Sequence, residues 1–159
     1  MDTLYNIVLV LHILVSIVAF GGLATMSAYN SRALKGTAGM GSTLLDAAAG
    51  VTKIAHGALY AVAPLGIVLI SLSDGAIEFS ATWISISFLV WFAMIGVAHA
   101  LVLKNLKVAA ARAAELDPTT NLADDPTVLD ALKKMGVGDA IGQLLVVVAV
   151  ALMIWQPGG

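Results

Sequence analysis

Five side chains in this sequence are out of keeping with their surroundings: His12, His56, His99, Asp139 and Gln143 all fall inside or at the edge of long apolar stretches. Ionisable residues in membrane spans usually face a bundle interior or a hydrated path, which makes each a candidate site. His12 lies about eight residues into the first stretch, roughly 12 Å down a helix axis, with Ser16 on the same face. It is a candidate haem or metal ligand or a proton-relay group. The plainer alternative is a neutral imidazole bonded to a backbone carbonyl or to Ser16.

His56 and His99 sit roughly 4 and 7 Å inside their spans, counted from Lys53 and Lys104, so they can share one depth. Asp139 and Gln143 are one helical turn apart, on one face. A cluster of His56, His99, Asp139 and Gln143 offers bis-imidazole ligation of a b-type haem, with Asp139 or Gln143 orienting a ring nitrogen from behind. It equally offers a proton or metal site, histidine titrating near neutral pH. The plainer alternative is interfacial, since polar groups near headgroups snorkel or pair at modest cost. No catalytic residue is singled out, and the absence of cysteine removes disulfides, thiolate metal sites and cysteine nucleophiles.

The elements that position these residues follow from composition. With 60% hydrophobic residues, 11% charged residues and a mean hydropathy of +0.97, a soluble fold of this length could not hide its apolar surface. Asp, Glu, Lys and Arg are missing from residues 3–31, 54–73, 79–103 and 140–159. Each stretch reaches the roughly 20 residues a helix needs to cross the hydrocarbon core. Continuous apolarity, without the alternation of membrane strands, selects helices. The expectation is an all-α, single-domain bundle over residues 1–159, with transmembrane helices at about 4–29, 54–73, 82–103 and 138–156. The first stretch lacks the basic flank of a secretory signal and reads as a retained helix.

All eight basic residues lie in two loops: Arg32, Lys35 and Lys53 in one, Lys104, Lys107, Arg112, Lys133 and Lys134 in the other. By the positive-inside rule, loops 32–53 and 104–137 are cytoplasmic and both termini are not. Trp83 and Trp155 then fall at outer helix ends, where indoles favour headgroups. Gly36, Gly39 and Gly41 are expected to break the chain after helix one, with Ser42 or Thr43 capping its successor and Asp46 in the first turn. Pro64 predicts a kink in helix two. Helix three is expected to run to about Glu115 and end at Asp117-Pro118. A short separate cytoplasmic helix is expected from Asp125, as N-cap, to Gly136, as stop, lying on the membrane or packing on its own bundle. Gly138 and Gly142 give a GxxxG spacing that suits close helix packing.

Leu11-His12 followed by Gly21-Gly22, the Trp83-led helix with its basic Ala-rich extension, and the closing Leu152-Met153-Ile154-Trp155-Gln156-Pro157-Gly158 resemble an uncharacterised bacterial family of four-helix integral membrane proteins. More distantly, the first-helix histidine and glycine pair is similar to copper-resistance D-like proteins and to the haem-binding J-type protoporphyrinogen oxidases. In those oxidases a histidine that maps to His12 works with a lysine inside a later membrane helix. Here no lysine lies inside a span, Lys104 being at a helix end. The resemblance implies a bacterial plasma membrane. Three function classes follow: an accessory or structural subunit of a larger membrane complex, or one that self-associates; a redox or b-type haem bundle; and an oligomeric small-solute transporter. The first is favoured by small-residue helix faces and an expected lack of buried carboxylates, Asp139 being placed at the mouth of helix four; the transporter ranks last, because a four-helix chain would need to oligomerise and lacks the acidic residue of proton-coupled export. The bilayer is the partner in every case, and no basic groove for nucleic acid is present.

Overall fold

A computed structural model describes residues 3–158. Four long helices account for almost all of it: α1 (Thr3–Leu34), α2 (Ala38–Ser71), α3 (Thr82–Glu115) and α4 (Pro126–Trp155), each long and apolar enough to cross a membrane. Helix α3 is α-helical over Thr82–Val97, π-helical over Ala98–Leu103 and α-helical again over Lys104–Glu115. No strand is present among the described residues.

Apolarity around the whole circumference explains why α1 has so few buried positions. Leu4, Ile7, Leu11, Leu14 and Ile17 are between 46% and 61% exposed, the pattern of a helix whose solvent is lipid. The same holds for Leu144, Val147 and Ile154 on α4.

The end that carries the basic residues is built differently. The helices run past the apolar stretches, so most of residues 32–53 and of 104–137 is helix rather than loop. Their inner faces close on a core that includes Leu45, Leu106, Leu122, Val128 and Met135, none more than 3% exposed. The α3–α4 connector belongs to that core. Ala38 and Gly39, in the first turn of α2, donate their backbone N–H groups to the carbonyls of Thr120 at 2.7 Å and Pro118 at 3.1 Å. A distant segment thereby satisfies donors that a helix start leaves orphaned.

Three expectations about this end are corrected. Only Gly36 lies in the turn after α1. Gly39 and Gly41 are inside α2, and Ser42 and Thr43 are interior residues, the N-cap being Thr37. These glycines admit the connector: a Cβ on Gly39 would stand 3.3 Å from the Pro118 carbonyl oxygen, and one on Gly41 would collide with Leu122. The separate short helix does not exist either, because α4 runs unbroken from Pro126 through Gly136 to Trp155. Gly136 has no positive φ and is a close approach rather than a stop. A Cβ there would lie 3.3 Å from the Asn30 side-chain nitrogen, which donates to the Leu132 carbonyl at 2.9 Å. Helix α2 also continues through Pro64.

The expected N-cap of α4 is present. Asp125 Oδ1 accepts from the Thr127 and Val128 N–H groups, each at 3.0 Å, and Oδ2 accepts from Arg112 Nε at 3.0 Å. The Val128 N–H, more than the Arg112 guanidinium, holds the Asp125 carboxyl below its ordinary value. A lowered folded value means that the stability Asp125 contributes is complete above the ordinary 3.8 and is lost as pH falls through the folded value. Asp125→Ala should therefore lower the thermal midpoint at neutral pH, and its gap from wild type should close between about pH 5 and about pH 2. A gap constant over that range would deny the carboxylate this role.

At the opposite end the bundle is splayed. Helices α1 and α2 pack along their length, and α4 touches α1 and α3, but α2 barely meets the Thr82–Val97 part of α3. Trp83 is buried there at 5% exposure beside Ile70 and Ile84, not laid out as a surface anchor, whereas Trp155 is 79% exposed.

Candidate binding chamber

The splaying leaves a cavity of about 740 Å³ bounded by all four helices. Its wall takes Tyr5, His12 and Phe20 from α1, Val62 and Gly66 from α2, Trp83, Phe88 and Trp91 from α3, and Val146 and Met153 from α4. Among the described residues, no Asp, Glu, Lys or Arg lines it. Size and apolar lining are those of a small-molecule site.

Its other polar wall atoms are largely engaged. Ser16 Oγ donates to the His12 carbonyl and Ser87 Oγ to the Trp83 carbonyl, both at 2.7 Å. Trp91 Nε1 donates to the Leu59 carbonyl at 2.8 Å. His12 Nδ1 is buried with no partner at ordinary hydrogen-bond geometry, its one backbone interaction being with Val62 on α2. Ser16, one of the two partners expected for the imidazole, bonds instead to the backbone of His12. The Nδ1–Cε1 edge of the ring faces Gly66 of α2, where a Cβ would stand 3.6 Å from Cε1, an ordinary contact.

The remaining sequence candidates lie outside the chamber and face different surroundings. His56 is buried, its Nδ1 2.7 Å from the Thr52 carbonyl. A carbonyl can only accept, so Nδ1 carries the proton and Nε2, buried without a partner, is the acceptor. His99 sits in the π-helical segment on the exposed face, its Nε2 hydrogen-bonded to the Tyr60 hydroxyl. Tyr60, one turn beyond His56, thus takes the nitrogen that an iron between the two histidines would need. Asp139 is buried among Leu23, Met94, Val97 and Val102 with Oδ2 unpartnered, beside a void of about 10 Å³ that suits one water. Gln143 points outward and is exposed.

The structure joins His99 to Tyr60 by a hydrogen bond, and no hydrogen bond links His56, His99, Asp139 and Gln143 to one another. Among the described residues, no group of three His, Cys, Asp or Glu is arranged to hold a metal ion. For a b-type haem, Tyr60 occupies one nitrogen of His99 while His56 Nε2 is unpartnered, and the His12 chamber offers one imidazole and, among the described residues, no basic residue for two propionates. Sequence reasoning missed Tyr60, although its spacing of four from His56 was a signal, and it missed the chamber, for which no local signal exists. No family model, curated protein or solved structure matches the chain.

Proposed function

We propose that this chain is a non-catalytic accessory protein of a bacterial plasma membrane whose working part is the chamber around His12, where it holds an apolar molecule drawn from the bilayer. The observation that carries the reading is the chamber itself: a large space between four membrane-length helices, lined among the described residues by no Asp, Glu, Lys or Arg and by one half-buried imidazole, His12. The hydroxyls of Ser16 and Ser87 donate to backbone carbonyls rather than to the imidazole, an arrangement equipped to bind rather than to catalyse. The grouping of all basic residues at the far end supports cytoplasmic loops at that end and non-cytoplasmic termini, which sets the chamber in the outer half of the membrane.

A place beside other membrane subunits is supported by Gln143 and His99, polar side chains on the outer surface of the bundle. A neighbouring helix supplies such groups with hydrogen bonds that lipid cannot.

Native mass spectrometry of the protein released from a mild detergent tests the binding reading. Wild type should retain one apolar adduct per chain. Gly66→Leu should lose it: its Cβ makes an ordinary contact with His12, and the rest of the side chain enters the chamber. A wild type without an adduct, or an adduct held equally by Gly66→Leu, would sink the reading.

A further inference from the structure

We propose that the chamber takes the ring of a quinone-type lipid, a neutral planar ring bearing carbonyl or hydroxyl groups on an apolar tail, with His12 as its hydrogen-bond anchor. The inference rests on the binding reading above and specifies its ligand.

Neutrality follows from the wall. A charged headgroup would be taken out of water with no counter-charge to meet it, because no Asp, Glu, Lys or Arg among the described residues lines the space. Planarity follows from Phe20, Trp83, Phe88 and Trp91, four aromatic rings from two facing helices. Aromatic faces stack on flat rings with a preference that branched hydrocarbon does not share.

The anchor follows from the hydrogen bonds. Ser16, Ser87 and Trp91 already donate to backbone carbonyls, and of the remaining polar groups on the wall, Tyr5, Trp83, Gln156 and His12, only the imidazole carries both a donor and an acceptor nitrogen in one ring. Its Nδ1 edge rests against Gly66. A half-turn about Cβ–Cγ exchanges Nδ1 with Cδ2 and breaks no hydrogen bond of ordinary geometry at Nδ1. A neutral imidazole has one donor and one acceptor nitrogen. It therefore serves both members of the pair, donating to a quinone carbonyl or accepting from a quinol hydroxyl.

The tail has an exit. Ile13, Ile17 and Ile154 line the chamber and are also 48%, 61% and 70% exposed on the outer surface, so the space opens sideways towards lipid.

The test titrates decylubiquinone into the full-length protein in nanodiscs and reads tryptophan fluorescence. Trp83 and Trp91 line the chamber, while Trp155 does not and is replaced by phenylalanine to remove its background. Saturable quenching at one quinone per chain is expected. His12→Leu should raise the half-saturation concentration about tenfold, the effect of losing one hydrogen bond to a buried polar group. His12→Gln, which keeps a donor and an acceptor, should recover most of the affinity and guards against a mere folding defect.

Quenching that rises linearly without saturation, or that saturates identically in His12→Leu, overturns the proposal. So does a stoichiometric Soret band on adding haemin that His12→Leu abolishes, which would give the imidazole to haem. If the apolar adduct is retained while saturable quenching is absent, the ligand class is wrong and the binding reading stands; if both are absent, both fall.

Discussion

Leu122→Ala should lower the unfolding free energy by about 2–5 kcal/mol, the usual range for emptying a fully buried leucine site. Leu122 is 0% exposed and lies against the bare face of Gly41, where a Cβ could not fit. Its backbone N–H donates to the Gly36 carbonyl at 3.1 Å, so side chain and backbone both fix the connector to the start of α2. This end is packed like a soluble core, and the transfer of the leucine out of water counts in full. Reversible unfolding in mixed micelles of a mild detergent and dodecyl sulfate would measure the loss. A change below about 1 kcal/mol, the scale of ordinary surface substitutions and of small losses, would show that the connector is not integral to the fold.

The second large effect is all-or-none. With the basic loops inside, alkaline phosphatase fused after Gly159 is exported and active, and the same enzyme fused within the connector after Asn121 is inactive. The inference stands on charge placement: every Lys and Arg falls at one end, and the loop between α2 and α3 has only Asp74 and Glu78. Moving a lysine across the membrane costs several times the energy of most packing contacts, which is why so few charges decide an orientation. Activity of the connector fusion with silence of the terminal one would reverse the topology and move the chamber to the inner leaflet.

The four membrane-length helices were legible because their cause is local: a run of about 20 residues without a charge has few other uses. The Asp125-Pro126 helix start was legible for the same reason, since cap and first turn are neighbours in sequence. Gly39, Gly41 and Gly136 were misread because glycine has two meanings. It breaks helices through its freedom, and it also lets another segment approach. The second meaning depends on Pro118, Leu122 and Asn30, which are remote in sequence. The hydrogen bond of His99 to Tyr60 was not legible for a related reason. Depth along an axis can be counted from the boundary, but the face a side chain turns to depends on helix rotation, and the π-helical segment holding His99 alters that count. The chamber lay beyond reach altogether, because it is a property of how far apart helices stand and not of any one of them.

The bonds from Ala38 and Gly39 to the Thr120 and Pro118 carbonyls also impose a timetable on biosynthesis. When the ribosome has released α1 and α2, that hairpin can enter the bilayer, but the start of α2 still lacks its acceptors, and Gly41 faces an empty notch. Neither is remedied until the segment after α3 emerges. The first half of the protein must therefore wait, inserted but unfinished at one end, for the second half to lock it.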